Sequence, residues 1–152
     1  MRNRKVAYMS DQIEKVVDLK APLARVWKAI SDHREFGTWF RVALDQPFVA
    51  GEASTGKMTY PGHEGAPWAA RVVAVEPERL LSFRWENDIK DMDEKPTTLV
   101  IFALEAAGTG TRVTITESGF ENLPAANRLD ILRGNTEGWA IQANNLAAHV
   151  GG

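Results

Sequence analysis

The stretch TTLVIFALEAAGTGTRVTITESG, residues 97–119, decides the fold. Two runs rich in β-branched and aromatic residues, 97–106 and 111–119, flank a short connection that contains two glycines. Such residues favour extended strands, and a short glycine-containing connection between two strand-like runs is typical of a β-hairpin. The stretch therefore predicts an antiparallel pair of strands, from which the rest of the chain can be interpreted outward.

Side-chain alternation along the second strand places a glutamate on the core side. Val113, Ile115 and Glu117 share one face, whereas the other face carries an arginine and two threonines. A buried carboxylate without a partner costs several kcal/mol or raises its pKa. We therefore predict that Glu117 is buried and either pairs with a basic group or faces a wet cavity.

The region upstream of the hairpin contains further runs of strand length. They are separated by segments rich in glycine, proline and charged residues, and connections this short favour sequential antiparallel pairing. The predicted strands are VALDQPFV (42–49), KMTY (57–60), WAARVVAVE (68–76) and LLSFRWE (80–86), with AGEASTG (50–56) and YPGHEGAP (60–67) predicted as connections.

The N-terminal third predicts one strand followed by two short helices. The run 13–19 alternates and is rich in valine, which favours a strand, and 21–31 carries apolar residues at helical spacing. The second helix, 32–40, begins with Asp32 as N-cap and has a glutamate three residues later, the pattern of a capping box. We expect this helix to end near Gly37.

The residues after Pro124 predict one long helix that packs lengthwise on the sheet. At 100° per residue, Gly134 and Gly138 fall nearly opposite its apolar stripe, so neither glycine is expected to widen a pocket. They indicate either a break or bend near residues 133–135, with Asn135 capping a second segment, or close packing of another element; we favour the bend. The stripe consists of Leu129, Leu132, Thr136, Trp139, Ala143, Leu146 and Val150.

The composition predicts a single globular domain and excludes several kinds of site. The chain has 152 residues, of which 44% are hydrophobic, a net charge of −2 and no cysteine. This charge gives no electrostatic footprint for nucleic acid, and the absence of cysteine removes disulfides and thiolate ligands. We expect a flexible tail over 1–12 and one domain over 13–150. We also expect a cytoplasmic location, no membrane span, and a monomer or weak homodimer.

No motif predicts a metal or cofactor site. His33, His63 and His149 lie in different elements without a ligand spacing, and no glycine-rich dinucleotide motif is present. The acidic loop NDIKDMDEK, residues 87–95, lacks the spacing and the glycine of a calcium loop. We therefore expect no metal and no cofactor.

Aromatic side chains dominate the predicted interior and suggest an apolar pocket with a few polar contacts. That composition is typical of small-molecule sites, although the same residues could form an ordinary large core. Trp39, Tyr60, Phe83, Trp85 and Trp139 are predicted as walls. The full set of candidate ligand-binding residues is Trp39, Met58, Tyr60, His63, Trp68, Arg71, Phe83, Trp85, Phe102, Glu117 and Trp139, with His63, Arg71 and Glu117 orienting polar groups.

Four blocks spread over nearly the whole domain carry a family resemblance. They are APLARVWKAISDHREFGTWF, VEPERLLSFRW, TTLVIFALEAAGTGTRVTITESGF and RGNTEGWAIQANNLAAHV. The sequence resembles the START and Bet v-like superfamily (SRPBCC), in its bacterial branch of activator of Hsp-90 ATPase homologue-like proteins. The resemblance implies an α+β helix-grip fold. In that fold a curved antiparallel sheet, in the order β-α-α-β6-α, wraps around the C-terminal helix and encloses a cavity for apolar ligands.

The residues and the resemblance together leave three classes of function open. The first is non-catalytic binding of a small hydrophobic molecule, aromatic, polycyclic or lipid-like, with a stress-related role as a further implication. The second is an enzyme similar to polyketide cyclases and aromatases, with His63 or Glu117 as general base. The third is a module that contacts an Hsp-90-type chaperone. We rank it last because the residues before Ile13 are too few for the eukaryotic co-chaperone's additional N-terminal domain.

Overall fold

The computed structural model describes residues 12–87 and 94–152. The predicted tail, apart from Gln12, and most of the predicted acidic loop lie outside these ranges. The strands are β1 (Gln12–Leu19), β2 (Val42–Leu44), β3 (Ala53–Met58), β4 (Pro67–Glu76), β5 (Leu80–Glu86), β6 (Thr97–Ala107) and β7 (Gly110–Ser118). The helices are α1 (Leu23–Ser31), α2 (His33–Phe40), a short 3₁₀ helix (Phe120–Asn122) and α3 (Ala125–Val150).

The described strands form one curved antiparallel sheet. Its strand order is β1-β7-β6-β5-β4-β3-β2, so every neighbouring pair except β1–β7 is consecutive in sequence. The hairpin predicted from residues 97–119 is present, with Ala107 paired to Gly110 and Gly108 at a φ of 62°. A two-residue connection favours this left-handed conformation. The α3 helix packs against β1, α1 and α2, and the predicted α+β helix-grip fold is confirmed.

Two glycines that suggest turns in the sequence lie inside regular elements. The α2 helix continues past Gly37 to Phe40, and a Cβ at Gly37 would overlap the carbonyl oxygen of Val42. Strand β3 begins at Ala53, within the stretch predicted as a connection, and a Cβ at Gly56 would overlap the carbonyl oxygen of Ala43. The predicted helix end and the predicted connection were therefore wrong, because these glycines allow close backbone approach instead of turns.

The predicted N-cap of α2 is confirmed by its contacts. The side chain of Asp32 accepts hydrogen bonds from the backbone N–H groups of Arg34 and Glu35, at 2.9 and 3.1 Å. Strand β2 is shorter than predicted and ends at Leu44. The α3 helix is continuous from Ala125 to Val150, so a break with Asn135 as a cap is wrong, while a bend without a break stays a prediction. The alternative of a closely packed element is wrong as well, because a Cβ at Gly134 or Gly138 would meet nothing within 4 Å.

A half-buried carboxylate joins the three α-helices. Glu35 on α2 accepts a hydrogen bond from Arg25 Nη1 of α1 at 2.7 Å and lies 2.9 Å from His149 Nε2 of α3. Burial raises the pKa of Glu35, but the hydrogen bonds from His149 and Arg25 outweigh burial and hold this pKa below its usual value. His149 therefore has a structural position at the end of α3.

Aromatic rings fill the centre of the fold. Phe36 is fully buried, and its ring centroid lies 4.9 Å from those of Trp39 and Phe40 and 5.2 Å from that of Phe48. Such edge-to-face and offset contacts are favourable in addition to their burial. The central space between sheet and helices is therefore packed, and any cavity must lie towards one end of it.

Candidate functional site

A cavity of about 500 Å³ lies between the sheet and the first half of α3. Its sheet side comes from the adjoining ends of β3, β4 and β5, and its helix side comes from α3. A volume of this size is typical of small-molecule sites. The lining residues are Met58, Tyr60, His63, Ala66, Pro67, Trp68, Ala69, Trp85, Glu86, Asn87, Ile131, Gly134 and Asn135.

A smaller space of about 130 Å³ adjoins the main cavity along α3. The two spaces share Met58, Trp85, Gly134 and Asn135, and the smaller one extends to Trp139. We call this smaller space the annex. Its remaining lining residues are Phe40, Gly138 and Gln142.

Two tryptophans form the apolar wall on the sheet. The ring centroids of Trp68 on β4 and Trp85 on β5 are 5.7 Å apart, at an interplanar angle of 35°. The orientation of the Trp68 ring is fixed by a hydrogen bond that its Nε1 donates to the buried Ser54 Oγ at 3.0 Å. The wall therefore has a fixed orientation, which lowers the entropic cost of binding a flat apolar molecule.

The connection between β3 and β4 supplies the rim of the cavity. Tyr60 and His63 have ring centroids 5.9 Å apart, and the backbone N–H of His63 donates to the carbonyl of Tyr60 at 2.9 Å. This compact turn uses a φ of 92° at Gly62 and 85° at Gly65, which glycine adopts readily. The rings of Tyr60 and His63, which both carry polar atoms, therefore lie at the rim of the cavity.

The helix side of the cavity is a second stripe of α3, beside the apolar one. Ile131, Asn135, Gly138 and Gln142 are spaced four, three and four residues apart and line the main cavity or the annex. Gly134 lines both spaces, and a Cβ at Gly134 or Gly138 would meet nothing within 4 Å. The prediction that these glycines do not widen a pocket was therefore wrong.

Glu117 is buried directly behind this helix stripe. It is fully buried, and its Oε1 accepts a hydrogen bond from Trp139 Nε1 at 2.8 Å. Its Oε2 accepts one from the buried Thr98 Oγ1 at 2.5 Å, and Asn135 Nδ2 lies 3.2 Å from both carboxylate oxygens. The predicted burial is confirmed. Of the two predicted surroundings, a basic partner or a wet cavity, the described residues show neither, since neutral donors from β6 and α3 bind the carboxyl and Glu117 lines neither space.

Burial raises the pKa of the Glu117 carboxyl above its ordinary value. The hydrogen bonds from Thr98, Trp139 and Asn135 act in the opposite direction but only partly offset burial. Thr98 Oγ1 lies 3.4 Å from Asn87 Nδ2, and Asn87 lines the main cavity. Hydrogen bonds therefore connect the buried carboxyl to a cavity-lining side chain just after β5 and to two on α3.

The predicted site residues fall into three groups. Those that line the main cavity or the annex are Met58, Tyr60, His63, Trp68, Trp85 and Trp139, and Glu117 contacts two lining residues without itself lining either space. Trp39, Phe83 and Phe102 are buried in the aromatic core instead. Arg71 is exposed and donates to the carbonyl of Gly51 at 3.0 Å, away from the cavity, so its prediction as an orienting residue was wrong.

Sequence reasoning missed most of the helix side of the site. Ile131, Gly134, Asn135 and Gly138 line it, and Thr98 holds Glu117 from the sheet. The recurrence of the α3 residues at intervals of three or four was visible in the sequence. A search for apolar periodicity passed over it because most of these residues are small or polar.

The described ranges contain no group of three or more histidine, aspartate or glutamate side chains that could hold a metal ion. Within the same ranges, no helix is long and apolar enough to cross a membrane.

The sequence matches the family described as Activator of Hsp90 ATPase homolog 1-like protein over residues 20–151. No curated protein matches the sequence significantly.

Solved structures similar to this chain share its fold. Protein MLL2253 from Mesorhizobium loti is 20% identical with a TM-score of 0.76, over 91% of this chain and 95% of that chain. The Aha1 dimer from Colwellia psychrerythraea is 19% identical with a TM-score of 0.69, over 91% and 95%. DynU16, a putative protein of the dynemicin biosynthetic locus, is 24% identical with a TM-score of 0.73. There the match covers 91% of this chain and 46% of DynU16.

Proposed function

The chain belongs to the family of activator of Hsp90 ATPase homolog 1-like proteins, and we propose that it binds a small hydrophobic molecule, aromatic or lipid-like, without transforming it. The observation that carries this proposal is the cavity of about 500 Å³ walled by Trp68 and Trp85 and rimmed by Tyr60. Mostly apolar pockets with a few polar groups are typical ligand sites. A stress-related role stays a prediction.

The position of Glu117 favours binding over catalysis. A general base must come within hydrogen-bond reach of the proton it removes. Glu117 lines neither the cavity nor the annex, and Asn135 and Trp139, which do, both donate to its carboxyl. With Glu117 as general base, the cyclase-like alternative would therefore require two hydrogen-bonded side chains of α3 to move before Glu117 could act. With His63, which lines the cavity, as general base, that alternative stays a prediction.

The distribution of exposed apolar side chains favours ligand binding in the cavity over a chaperone interface. An interaction module is expected to expose a contiguous apolar patch of several hundred Å². The large apolar side chains that are exposed in the described ranges come from separate places: Val16 on β1, Val49 after β2, Val73 on β4, and Leu129 and Ile141 twelve residues apart on α3. Binding to a chaperone and self-association stay predictions.

An amide chemical-shift titration tests the proposal. The panel comprises naphthalene, a flavonoid, a sterol and a fatty acid, each added to labelled protein. We expect saturable shifts from at least one compound, clustered on residues 58–69, 85–87 and 131–139, because these segments line the cavity and annex. Shifts without saturation, or shifts spread over β1 and α1, would contradict the proposal.

A variant that fills the cavity serves as a control for this titration. Gly134→Leu places a side chain where a Cβ meets nothing within 4 Å, so we expect ligand affinity to fall by at least about tenfold. Stability should hold or rise by about 0.5–1 kcal/mol, because glycine is a poor helix former. Ala126→Leu adds the same side chain at an exposed position of α3 outside the lining and should leave affinity unchanged.

A further inference from the structure

The side-chain amide of Asn135 has one orientation that is compatible with Glu117. Its nitrogen lies 3.2 Å from both carboxylate oxygens. With Glu117 ionised, the opposite orientation would place the amide oxygen, an acceptor, against two other acceptors. The Oδ1 atom of Asn135 therefore faces away from the carboxyl, and among the described residues no donor reaches it. Because Asn135 lines both the main cavity and the annex, it offers a bound molecule a free acceptor.

The charges around the cavity do not suit an anion. Its described lining contains no lysine or arginine and includes the acidic Glu86. The lining side chain that can become cationic is His63, which belongs to the β3–β4 connection and not to the helix side. Behind Asn135 lies the buried carboxyl of Glu117, which has no basic partner among the residues that the structure describes. A ligand carboxylate next to Asn135 would thus meet an acceptor, with a second carboxyl behind it.

We propose that the ligand carries a hydrogen-bond donor, an aromatic-linked hydroxyl or ammonium group, which Asn135 Oδ1 accepts, and that the site rejects ligands that present a carboxylate there. This inference rests on the proposed function and specifies its ligand class. Glu117 acts as a positioning residue, because its carboxyl holds the amide of Asn135 with the oxygen towards the cavity. Trp68 and Trp85 contact the apolar part of the ligand, and their faces also favour an ammonium group.

Four naphthalene probes, substituted at the same ring position, test this inference by titration against labelled protein. They are ethylnaphthalene, naphthylmethanol, naphthylmethylamine and naphthoate, which differ mainly in the end group. We expect the methanol or the methylamine to bind at least about tenfold more tightly than naphthoate, the factor expected of one hydrogen bond. The probe that binds should also shift the side-chain amide resonances of Asn135 and the indole N–H of Trp139.

A matched pair of variants on α3 isolates the role of Asn135. Asn135→Ala should bring naphthylmethanol and naphthylmethylamine to the affinity of ethylnaphthalene. Asn145→Ala removes an asparagine of the same helix that donates to Gln142 Oε1 at 3.2 Å and lines neither space, so the preference should survive there. If Asn135→Ala fails to fold, the wild-type order of affinities and the Asn135 amide shift still decide the question.

The outcomes separate this inference from the proposed function. Saturable binding of all four probes within a factor of about two, or tightest binding of naphthoate, would overturn the donor preference and leave the cavity as a binding site. An unchanged donor preference in a folded Asn135→Ala would also overturn it. If none of the four probes binds saturably but the sterol, the flavonoid or the fatty acid of the first panel does, the donor preference is overturned and the cavity remains a binding site. No saturable binding by any compound of either panel would overturn both proposals. Preference for the methylamine over the methanol would identify a cation, and the reverse order a neutral hydroxyl.

Discussion

Glu117 shows how one residue joins the core to the cavity wall. Its carboxyl is fully buried, and its donors come from β6 and α3. All three donors are neutral, so within residues 12–87 and 94–152 the charged form has hydrogen bonds but no opposite charge beside it. Burial therefore outweighs the hydrogen bonds and raises the pKa of this carboxyl. The native state accordingly binds a proton at Glu117 more tightly than the unfolded state does.

The raised pKa predicts how Glu117→Gln changes stability with pH. In the wild type, the stabilising contribution of this proton is complete below the ordinary value of 4.5 and is lost as pH rises through the higher native pKa. Glu117→Gln has no titrating carboxyl at this position, so its stability does not fall in this way as pH rises. We expect its unfolding free energy, relative to wild type, to increase as pH rises above 4.5. Each unit of pKa separation contributes about 1.4 kcal/mol.

Urea denaturation of both proteins at a series of pH values measures this difference. Glu105→Gln is the matched control, because Glu105 is exposed near the far end of β6. It lies seven residues, or about 23 Å, along that strand from Thr98. The control should show no comparable trend. A relative stability of Glu117→Gln that stays constant or falls with rising pH would contradict this account of Glu117.

At the scale of the element, α3 has two functional faces. One face, which includes Trp139 and Leu146, is buried in the core, and the neighbouring face, with Asn135 and Gly138, lines the ligand space. The glycines leave open space on this second face, between the side chains of Ile131, Asn135 and Gln142, without breaking the helix. Their cost in helix propensity is therefore explained by the space that they leave open.

Two helical glycines should respond in opposite ways to alanine. Gly37→Ala is expected to destabilise the protein by about 1–3 kcal/mol, because the new Cβ overlaps the carbonyl oxygen of Val42 and the backbone must shift. Gly138→Ala meets nothing within 4 Å and should stabilise by about 0.5–1 kcal/mol. Equal effects of the two substitutions on the midpoint of urea denaturation would show that close backbone approach does not explain Gly37.

The elements were predictable from the sequence where local patterns and tertiary packing agree. Strand alternation identified the inward face of β7 and hence the burial of Glu117, and Asp32 was identified as a helix N-cap. The prediction failed at Gly37 and Gly56, where glycine permits close backbone contact between consecutive elements, α2 with β2 and β2 with β3. A single-sequence pattern contains no information on which backbone will approach, so such a glycine resembles one in a turn.

At the scale of the whole molecule, the aromatic residues have two different roles. Phe36, Phe83 and Phe102 are fully buried and fill the centre, whereas Trp68 and Trp85 border the cavity at one end. Composition predicted an aromatic interior but could not divide it between core and cavity wall. That division depends on the curvature of the sheet and on where α3 lies across it, which single-sequence patterns do not determine.

Among polar site residues on strands and helices, the direction of the side chain was predictable only where strand alternation assigned it. Glu117 followed from alternation, whereas Arg71 was included by its chemistry and is exposed on β4. Asn135 was interpreted as a helix cap because asparagine favours that position, and its contact with Glu117 joins residues that are 18 apart in sequence. Long-range hydrogen bonds of this kind require the tertiary structure.

The most direct test of the central proposal is to locate a bound aromatic molecule by intermolecular nuclear Overhauser effects. With ethylnaphthalene bound, we predict cross-peaks from its ring protons to the methyl groups of Met58 and Ile131 and to the ring of Trp85, since these three line the cavity. Cross-peaks confined to exposed apolar side chains such as Val16, Val73 or Leu129 would contradict the proposal that this cavity is the binding site.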